Sequence, residues 1–254
     1  MASGGAMTSF DTFARLHVPG KPLILYNIWD AGSAQAVARA GAKALATGSW
    51  SVAAAHGFFD AEGLPLDLAL ANAARIVAAT TLPVTVDFEG GYAAAPELLA
   101  ANFAALAATG AVGCNFEDQV VGGEGLYPIE AQQARIAAAR KAAGPAFFIN
   151  ARTDLFLKVA APAHDAGLVS AALDRAHAYA EAGASGLFVP GLARLDLIEK
   201  LCVKSPLPVN HMAVPGGPAR AALASAGIAR ISHGPFPYRA VMKQLEEAAR
   251  ALFG

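Results

Sequence analysis

Eight short apolar runs recur along the chain, each followed by small or polar residues and then by an alanine-rich stretch with apolar positions three and four residues apart. The runs are Leu23–Trp29, Ala44–Ser49, Pro83–Glu89, Gly113–Asp118, Phe147–Thr153, Gly186–Gly191, Pro208–Met212 and Arg230–Gly234. Short runs that are apolar almost throughout predict strands buried on both faces. The stretches between them predict helices, most clearly over Leu66–Ala79, Pro96–Ala108, Ile129–Ala142 and Leu168–Ala182. Pro96 and Pro128 stand at first turns, where the missing N–H has no partner to lose, and Gly110, Gly144 and Gly183 stand where helices should stop. A further helix is expected before the first strand, over about Ser9–Leu16, and another after the last, over about Pro237–Leu252.

Eight such strands alternating with helices predict an α/β fold, a single (β/α)8 TIM-type barrel over residues 1–254 with residues 1–8 flexible. The alternative is an open doubly wound sheet, which usually carries a Gly-rich turn after its first strand. Here that place reads Trp29-Asp30-Ala31-Gly32-Ser33, with neither a dinucleotide fingerprint nor a P-loop.

Composition then excludes several classes. With 55% hydrophobic and 15% charged residues the chain does not read as disordered. A net charge of −1 argues against a nucleic-acid surface. No apolar run reaches the ~18 residues of a membrane span, and Met1–Ser9 lacks the charged and apolar regions of a signal peptide. Two cysteines, Cys114 and Cys202, read as free buried thiols, so a cytoplasmic address is expected.

The scarce polar residues collect at the carboxyl ends of the runs, where a barrel of this type places its site. The ends carry Asp30, Gly48–Ser49, Asp87 with Glu89, Glu117–Asp118, Asn150 with Arg152 and Asp154, Asn210–His211, and Ser232–His233. Strand alternation puts Thr85, Asp87 and Glu89 on one face, and Asn150, Arg152 and Asp154 on another, and turns Cys114 and Phe116 toward the helices if Asn115 and Glu117 face the axis. Asp87, Glu89 and Glu117 at one mouth would repel one another, which a hard divalent cation relieves; the alternative is that they cap helices or pair with Arg152. Arg152 itself could neutralise these acids, bind a substrate carboxylate, or do both. Among proton-transfer candidates (His211, His233, Tyr92, Tyr127 and Glu124), His233 stands out because it ends the eighth run. His56 is expected in the loop after the second run, and His17, His164 and His177 as solvated residues of helices or links.

Five segments resemble one family. They are Trp29-Asp30-Ala31-Gly32-Ser33-Ala34; Thr47-Gly48-Ser49 with Gly57-Phe58-Phe59-Asp60; Val86 to Tyr92; Asn115-Phe116-Glu117-Asp118-Gln119; and Asn150-Ala151-Arg152-Thr153-Asp154. In this order, over about Phe10–Tyr238, they resemble the isocitrate lyase and phosphoenolpyruvate mutase superfamily. The resemblance implies a (β/α)8 barrel, often with the last helix exchanged between partners, and hence a homodimer or homotetramer. It implies Mg2+, with Mn2+ as a substitute, held largely through water by Asp60, Asp87, Glu89 and Glu117. It implies a small 2-oxo or 2-hydroxy acid as substrate, with amides around Gly48, Ser49 and Trp50 receiving the developing oxyanion. Trp29, Asp30, Asp87, Asn210 and Arg152 complete the expected substrate contacts, and Arg152, Glu117 and His233 the expected catalytic set.

Two departures narrow the chemistry. Glu89 replaces the Asp of many members, and the segment Gln119–Pro128 holds no Cys, His or Lys, whereas the lyases of the family carry a K-[KR]-C-G-H loop. The reading is therefore a Mg2+-dependent lyase or decarboxylase that acts on a small 2-oxo or 2-hydroxy dicarboxylate and cleaves a C–C bond next to a carboxylate. A carbon–phosphorus enzyme (phosphonopyruvate hydrolase or phosphoenolpyruvate mutase-like) and a non-catalytic 2-oxo acid binding barrel are the alternatives. No lysine ends a run, so a Schiff-base aldolase is not indicated, and no His pairs indicate zinc. A sugar-phosphate barrel would use Val214–Pro218 and Gly234–Pro235.

Overall fold

In the computed structural model the described residues are 8–254. The expectation for the first eight residues therefore lies outside the described part, except for Thr8, which caps the first helix. All eight strands form where the apolar runs predict: β1 Leu23–Leu25, β2 Leu45–Ala46, β3 Val84–Asp87, β4 Gly113–Glu117, β5 Phe148–Arg152, β6 Gly186–Phe188, β7 Val209–Met212 and β8 Arg230–Ser232. They pair in parallel in the order β1-β8-β7-β6-β5-β4-β3-β2. A parallel bridge between Ile28 and Thr47, with the Ile28 N–H 2.9 Å from the Ala46 carbonyl, closes the ring between β1 and β2. The architecture is a (β/α)8 barrel.

The strands are shorter than the runs because the backbone leaves the ladder at the polar carboxyl ends. Glu89, expected to continue the alternation of β3, sits instead in a turn with φ +50°, and Tyr92 follows at +58°. Non-glycine residues in that region carry backbone strain and persist only where surrounding contacts fix them.

The helices are α1 Ser9–Arg15, α2 Ala31–Arg39, α3 Ser49–Ala55, α4 Leu66–Ala78, α5 Pro96–Ala108, α6 Ile129–Ala143, α7 Ala166–Glu181, α8 Leu195–Lys204, α9 Arg220–Ser225 and α10 Phe236–Phe253. Between strands and helices, Phe88, Phe103, Phe116, Ile136 and Cys114 form a continuous buried cluster. Cys114 thus faces the helix layer, as alternation requires, and burial pushes its thiol far above the ordinary range. Leu99 and Phe103 of α5 fill the space under Gly91, where a Cβ would run into the Leu99 side chain, and its φ of +81° favours glycine in that turn.

Helix α1 plugs the amino end of the barrel. Phe13 meets Phe148 edge-on at 5.3 Å, and His17 stacks on the same ring at 4.2 Å. His17 is therefore buried rather than solvated, and burial lowers it to about 3, so it stays neutral. His164 is likewise buried, its Nε2 3.0 Å from the Phe156 carbonyl. Both sit in helix-flanking segments, and the aromatic rings that cover them, Phe148 over His17 and Phe156 over His164, are distant or not adjacent in sequence. Helix α10 stands apart: only Pro237 is buried, while Val241, Leu245, Leu252 and Phe253 are exposed.

Candidate active site

A cavity of about 160 Å3 opens at the carboxyl ends of the strands, with Ser49, Trp50, Asp60, Asp87, Asn115 and Arg152 among its walls. Asp87, the last residue of β3, is its most tightly held acid. Its Oδ2 accepts the Ser49 N–H at 3.0 Å, and its Oδ1 accepts Asn115 Nδ2 at 3.1 Å. Its own N–H donates to Thr47 Oγ1 at 2.9 Å. The Asn115 amide has one possible orientation here. Its Oδ1 accepts Arg230 Nη2 at 3.0 Å and Asn150 Nδ2 at 2.9 Å, and a guanidinium can only donate, so the NH2 group must face Asp87.

The other acids gather around Asp87. Asp60, in the loop after α3, is raised by burial and then by the charge of Asp87. Burial, and next the charge of Asp60, push Glu89 up to about 8; its Oε2 accepts the Glu62 N–H at 2.7 Å. Burial also pushes Glu117 up to about 8, against the pull of Arg152, whose Nη1 lies 2.9 Å from Glu117 Oε2. Arg152 is further tied to Asp154, Nε to Oδ1 at 2.5 Å and Nη2 to Oδ2 at 2.8 Å. Burial works against the Arg152 cation, and the charges of Glu117 and Asp154 more than offset it, raising it above its ordinary value.

These residues fit a hard divalent cation. The donors are all carboxylate oxygens, and the repulsion that raises Asp60 and Glu89 is what a cation relieves. Among the described residues no three Asp, Glu, His or Cys side chains converge closely enough to ligate one ion directly. A Mg2+ ion accommodates that spacing by keeping several of its waters.

The structure brings Gly48, Ser49, Trp50, Asp60, Asp87 and Arg152 to one cavity, with Glu89 and Glu117 adjoining through their contacts. Other expected residues lie elsewhere. Asp30 caps α2, accepting the Ser33 N–H at 2.7 Å. Trp29 packs edge-on against Tyr238 at 5.0 Å. Asn210 is buried in the barrel interior, 3.4 Å from the Ser232 hydroxyl. His233 donates its N–H to Asn27 Oδ1 at 2.7 Å, and its ring Nδ1 lies 3.1 Å from the Leu25 carbonyl, beside Tyr26 and off the cavity wall. His211 points opposite to its cavity-lining neighbour Met212, and burial lowers it to about 4. His56 Nδ1 lies 2.9 Å from the Val52 carbonyl. Glu124 is exposed, and Tyr127 stacks on the Arg135 guanidinium at 4.1 Å.

Sequence reasoning missed three contributors. Glu62 holds the Tyr92 N–H at 2.7 Å and the Glu89 side chain by its own N–H. Arg135 of α6 ties down the Gly90 and Ala93 carbonyls, at 2.6 and 3.1 Å. Arg230, wholly buried inside the barrel, reaches Asn115. Only Arg230 left a signal, as a charged residue opening an apolar run.

Comparison with known proteins agrees with the geometry. The phosphoenolpyruvate phosphomutase family model matches residues 13–253. A crystal structure from Burkholderia cenocepacia J2315, named provisionally as a phosphonomutase, is 53% identical, covers 96% of this chain and 98% of its own, and superposes with a TM-score of 0.93. The 2-methylisocitrate lyase of Salmonella typhimurium strain LT2 is 30% identical over 76% of this chain and 70% of its own. A phosphonopyruvate hydrolase solved with oxalate and Mg2+ shares the fold at 23% identity, with a TM-score of 0.83 over 96% of this chain and 87% of its own. With eight parallel strands, acids at their carboxyl rim and a match over nearly its whole length, the chain belongs to the phosphoenolpyruvate phosphomutase family, within the isocitrate lyase and phosphoenolpyruvate mutase superfamily.

Proposed function

We propose that the chain is a Mg2+-dependent lyase or decarboxylase that cleaves a C–C bond next to the carboxylate of a small 2-oxo or 2-hydroxy acid, through an enolate-like state. The observation that carries the reading is the convergence of Asp60, Asp87, Glu89 and Glu117 beside a cavity with one arginine, with burial raising the proton affinity of Asp60, Glu89 and Glu117. The Mg2+-bearing relative supports the choice of metal, and Mn2+ would substitute. When bound, the cation supplies positive charge beside the developing oxyanion.

The chain's own groups would do the rest. Asp87, fixed by Ser49 and Asn115, holds the metal end of the site together with Asp60, Glu89 and Glu117. The Trp50 N–H makes no hydrogen bond among the described residues and would donate to the oxyanion at the edge of the cavity. Arg152 orients the substrate carboxylate with whatever donor capacity Glu117 and Asp154 leave it. Glu117, whose affinity for a proton burial raises against the pull of Arg152, is the acid we assign to proton transfer.

The test is a panel of 2-oxo and 2-hydroxy acids and phosphonopyruvate, assayed with Mg2+ and with EDTA. Metal-dependent release of CO2 or of a 2-oxo acid is expected. Phosphate release would establish the carbon–phosphorus reading instead, and binding without turnover a non-catalytic barrel. The same proposal extends to assembly as a homodimer or homotetramer in the cytoplasm. The exposed Val241, Leu245 and Leu252 of α10 support it, and gel filtration with light scattering checks it.

A further inference from the structure

Two of the acids around Asp87 come from loops. Asp60 lies in the loop between α3 and α4, and Glu89 in the turn that follows β3. Among the described residues four that are not glycine have a left-handed φ: Ala61 at +64°, Glu62 at +59°, Glu89 at +50° and Tyr92 at +58°. All four fall in these two loops. Residues with a Cβ leave that region unless surrounding contacts hold them in it.

The holding contacts are on the page. Glu62 spans the two loops with both its main chain and its side chain. Its N–H donates to Glu89 Oε2 at 2.7 Å, and its Oε1 accepts the Tyr92 N–H at 2.7 Å. The same oxygen sits so close to Gly90 that a Cβ there would meet it at 2.9 Å. The carbonyls of the turn are taken by other elements. Arg135 donates to those of Gly90 and Ala93, the Glu117 N–H to that of Glu89 at 2.9 Å, and Asn102 Nδ2 to that of Gly91 at 2.9 Å. Of these holds, only the one made by Glu62 reaches back to the loop of Asp60. Glu62 is not placed as a ligand itself. Its side chain lines a second cavity of about 130 Å3, with Tyr92, Tyr127 and Arg135, that shares no lining residue with the cavity of Asp60 and Asp87.

We infer that Glu62 is a positioning residue of the metal site, locking the loop of Asp60 to the turn of Glu89 so that both acids meet a cation in one preset arrangement. Its carboxylate fixes the turn through the Tyr92 N–H, and its own N–H fixes the Glu89 side chain. Outer partners of this kind orient the groups that face a metal, so the ion does not have to order them. The role needs the reach of the side chain and one acceptor oxygen; it does not need the negative charge. The inference rests on the proposed function above for the presence of the ion.

Two conservative variants separate reach from charge. Glu62→Gln keeps the length and an acceptor oxygen and loses the charge, whereas Glu62→Asp keeps the charge and is one methylene shorter. Asp30→Ala, which loses the α2 cap away from the cavity, is the control for a general loss of stability. Mn2+ affinity is measured by electron paramagnetic resonance in the wild type and the three variants, alongside melting in EDTA. Glu62→Gln should bind nearly as tightly as the wild type, and Glu62→Asp about tenfold or more weakly. Asp30→Ala should melt lower and bind as the wild type does. Wild-type affinity in Glu62→Asp overturns the inference alone. A loss in Glu62→Gln as large as that in Glu62→Asp also overturns it, by assigning the effect to charge. An equal loss in Asp30→Ala overturns it by tracing affinity to overall stability. Failure of the wild type to bind Mn2+ overturns the reading of the metal site, and the inference with it.

Discussion

Replacing Arg152 with methionine separates its structural from its catalytic contribution. Arg152 holds Glu117 at 2.9 Å and Asp154 at 2.5 and 2.8 Å, and the two acids are 4% and 1% exposed. Methionine keeps the volume and leaves both carboxylates buried without a cation. Breaking a buried pair in this way destabilises by about 3–5 kcal/mol. The cost is not doubled, because one of the two acids can take up a proton. The sign with pH follows from that uptake. Without the guanidinium Glu117 has a folded pKa above its unfolded one, so the variant is least impaired below about pH 4 and progressively worse as pH rises. Urea unfolding of wild type and Arg152→Met at pH 5.5 and pH 8 reads the difference directly, and Arg152→Lys should recover part of it. A loss below about 1 kcal/mol at pH 8, in the range of an exposed pair, would show that water and not Arg152 compensates these acids.

Other consequences can be measured separately. Glu89 and Glu117 have folded values of about 8 against an ordinary 4.5, so their contribution to stability is full below pH 4.5 and is lost as pH rises through 8. Calorimetric melting of the metal-free protein should therefore fall from pH 5 to pH 8.5, and Mg2+ should restore more at pH 8.5 than at pH 5.5; a flat profile contradicts the clustering. His233→Gln should leave turnover within a few-fold of wild type, since the ring lies off the cavity wall; a loss of about 100-fold would return it to proton transfer. Asp30→Ala should lower stability by about 1 kcal/mol through the lost α2 cap, with the Michaelis constant unchanged, whereas a raised constant would place Asp30 at the substrate.

The barrel was legible because its signal is repeated eight times. Each strand is buried on both faces, so each reads as an apolar run, and helix ends were marked by Pro96, Pro128, Gly144 and Gly183. Strand ends were less legible. Alternation located Asp87 and Arg152 correctly but does not extend to Glu89, whose positive φ swings it toward Asp60 by a turn. Asp30, read as a possible substrate contact, is a helix cap, because a carboxylate one residue before a helix serves that purpose by itself. Glu62 and Arg135 were invisible for a different reason. They act across the fold, from the loop before α4 and from α6, on backbone groups that carry no side-chain signature. Three apolar residues of the cavity were hidden too, since Leu157, Phe188 and Met212 come from separate segments and look individually like core residues.

The most direct test of the central claim is Mn2+ binding, followed by electron paramagnetic resonance, in wild type and Asp87→Ala. The account predicts one site per chain in the wild type, displaced by Mg2+, and its loss in Asp87→Ala while the circular dichroism spectrum stays native. Equal Mn2+ binding by both proteins, or none by the wild type, would contradict a metal-dependent site at the end of β3.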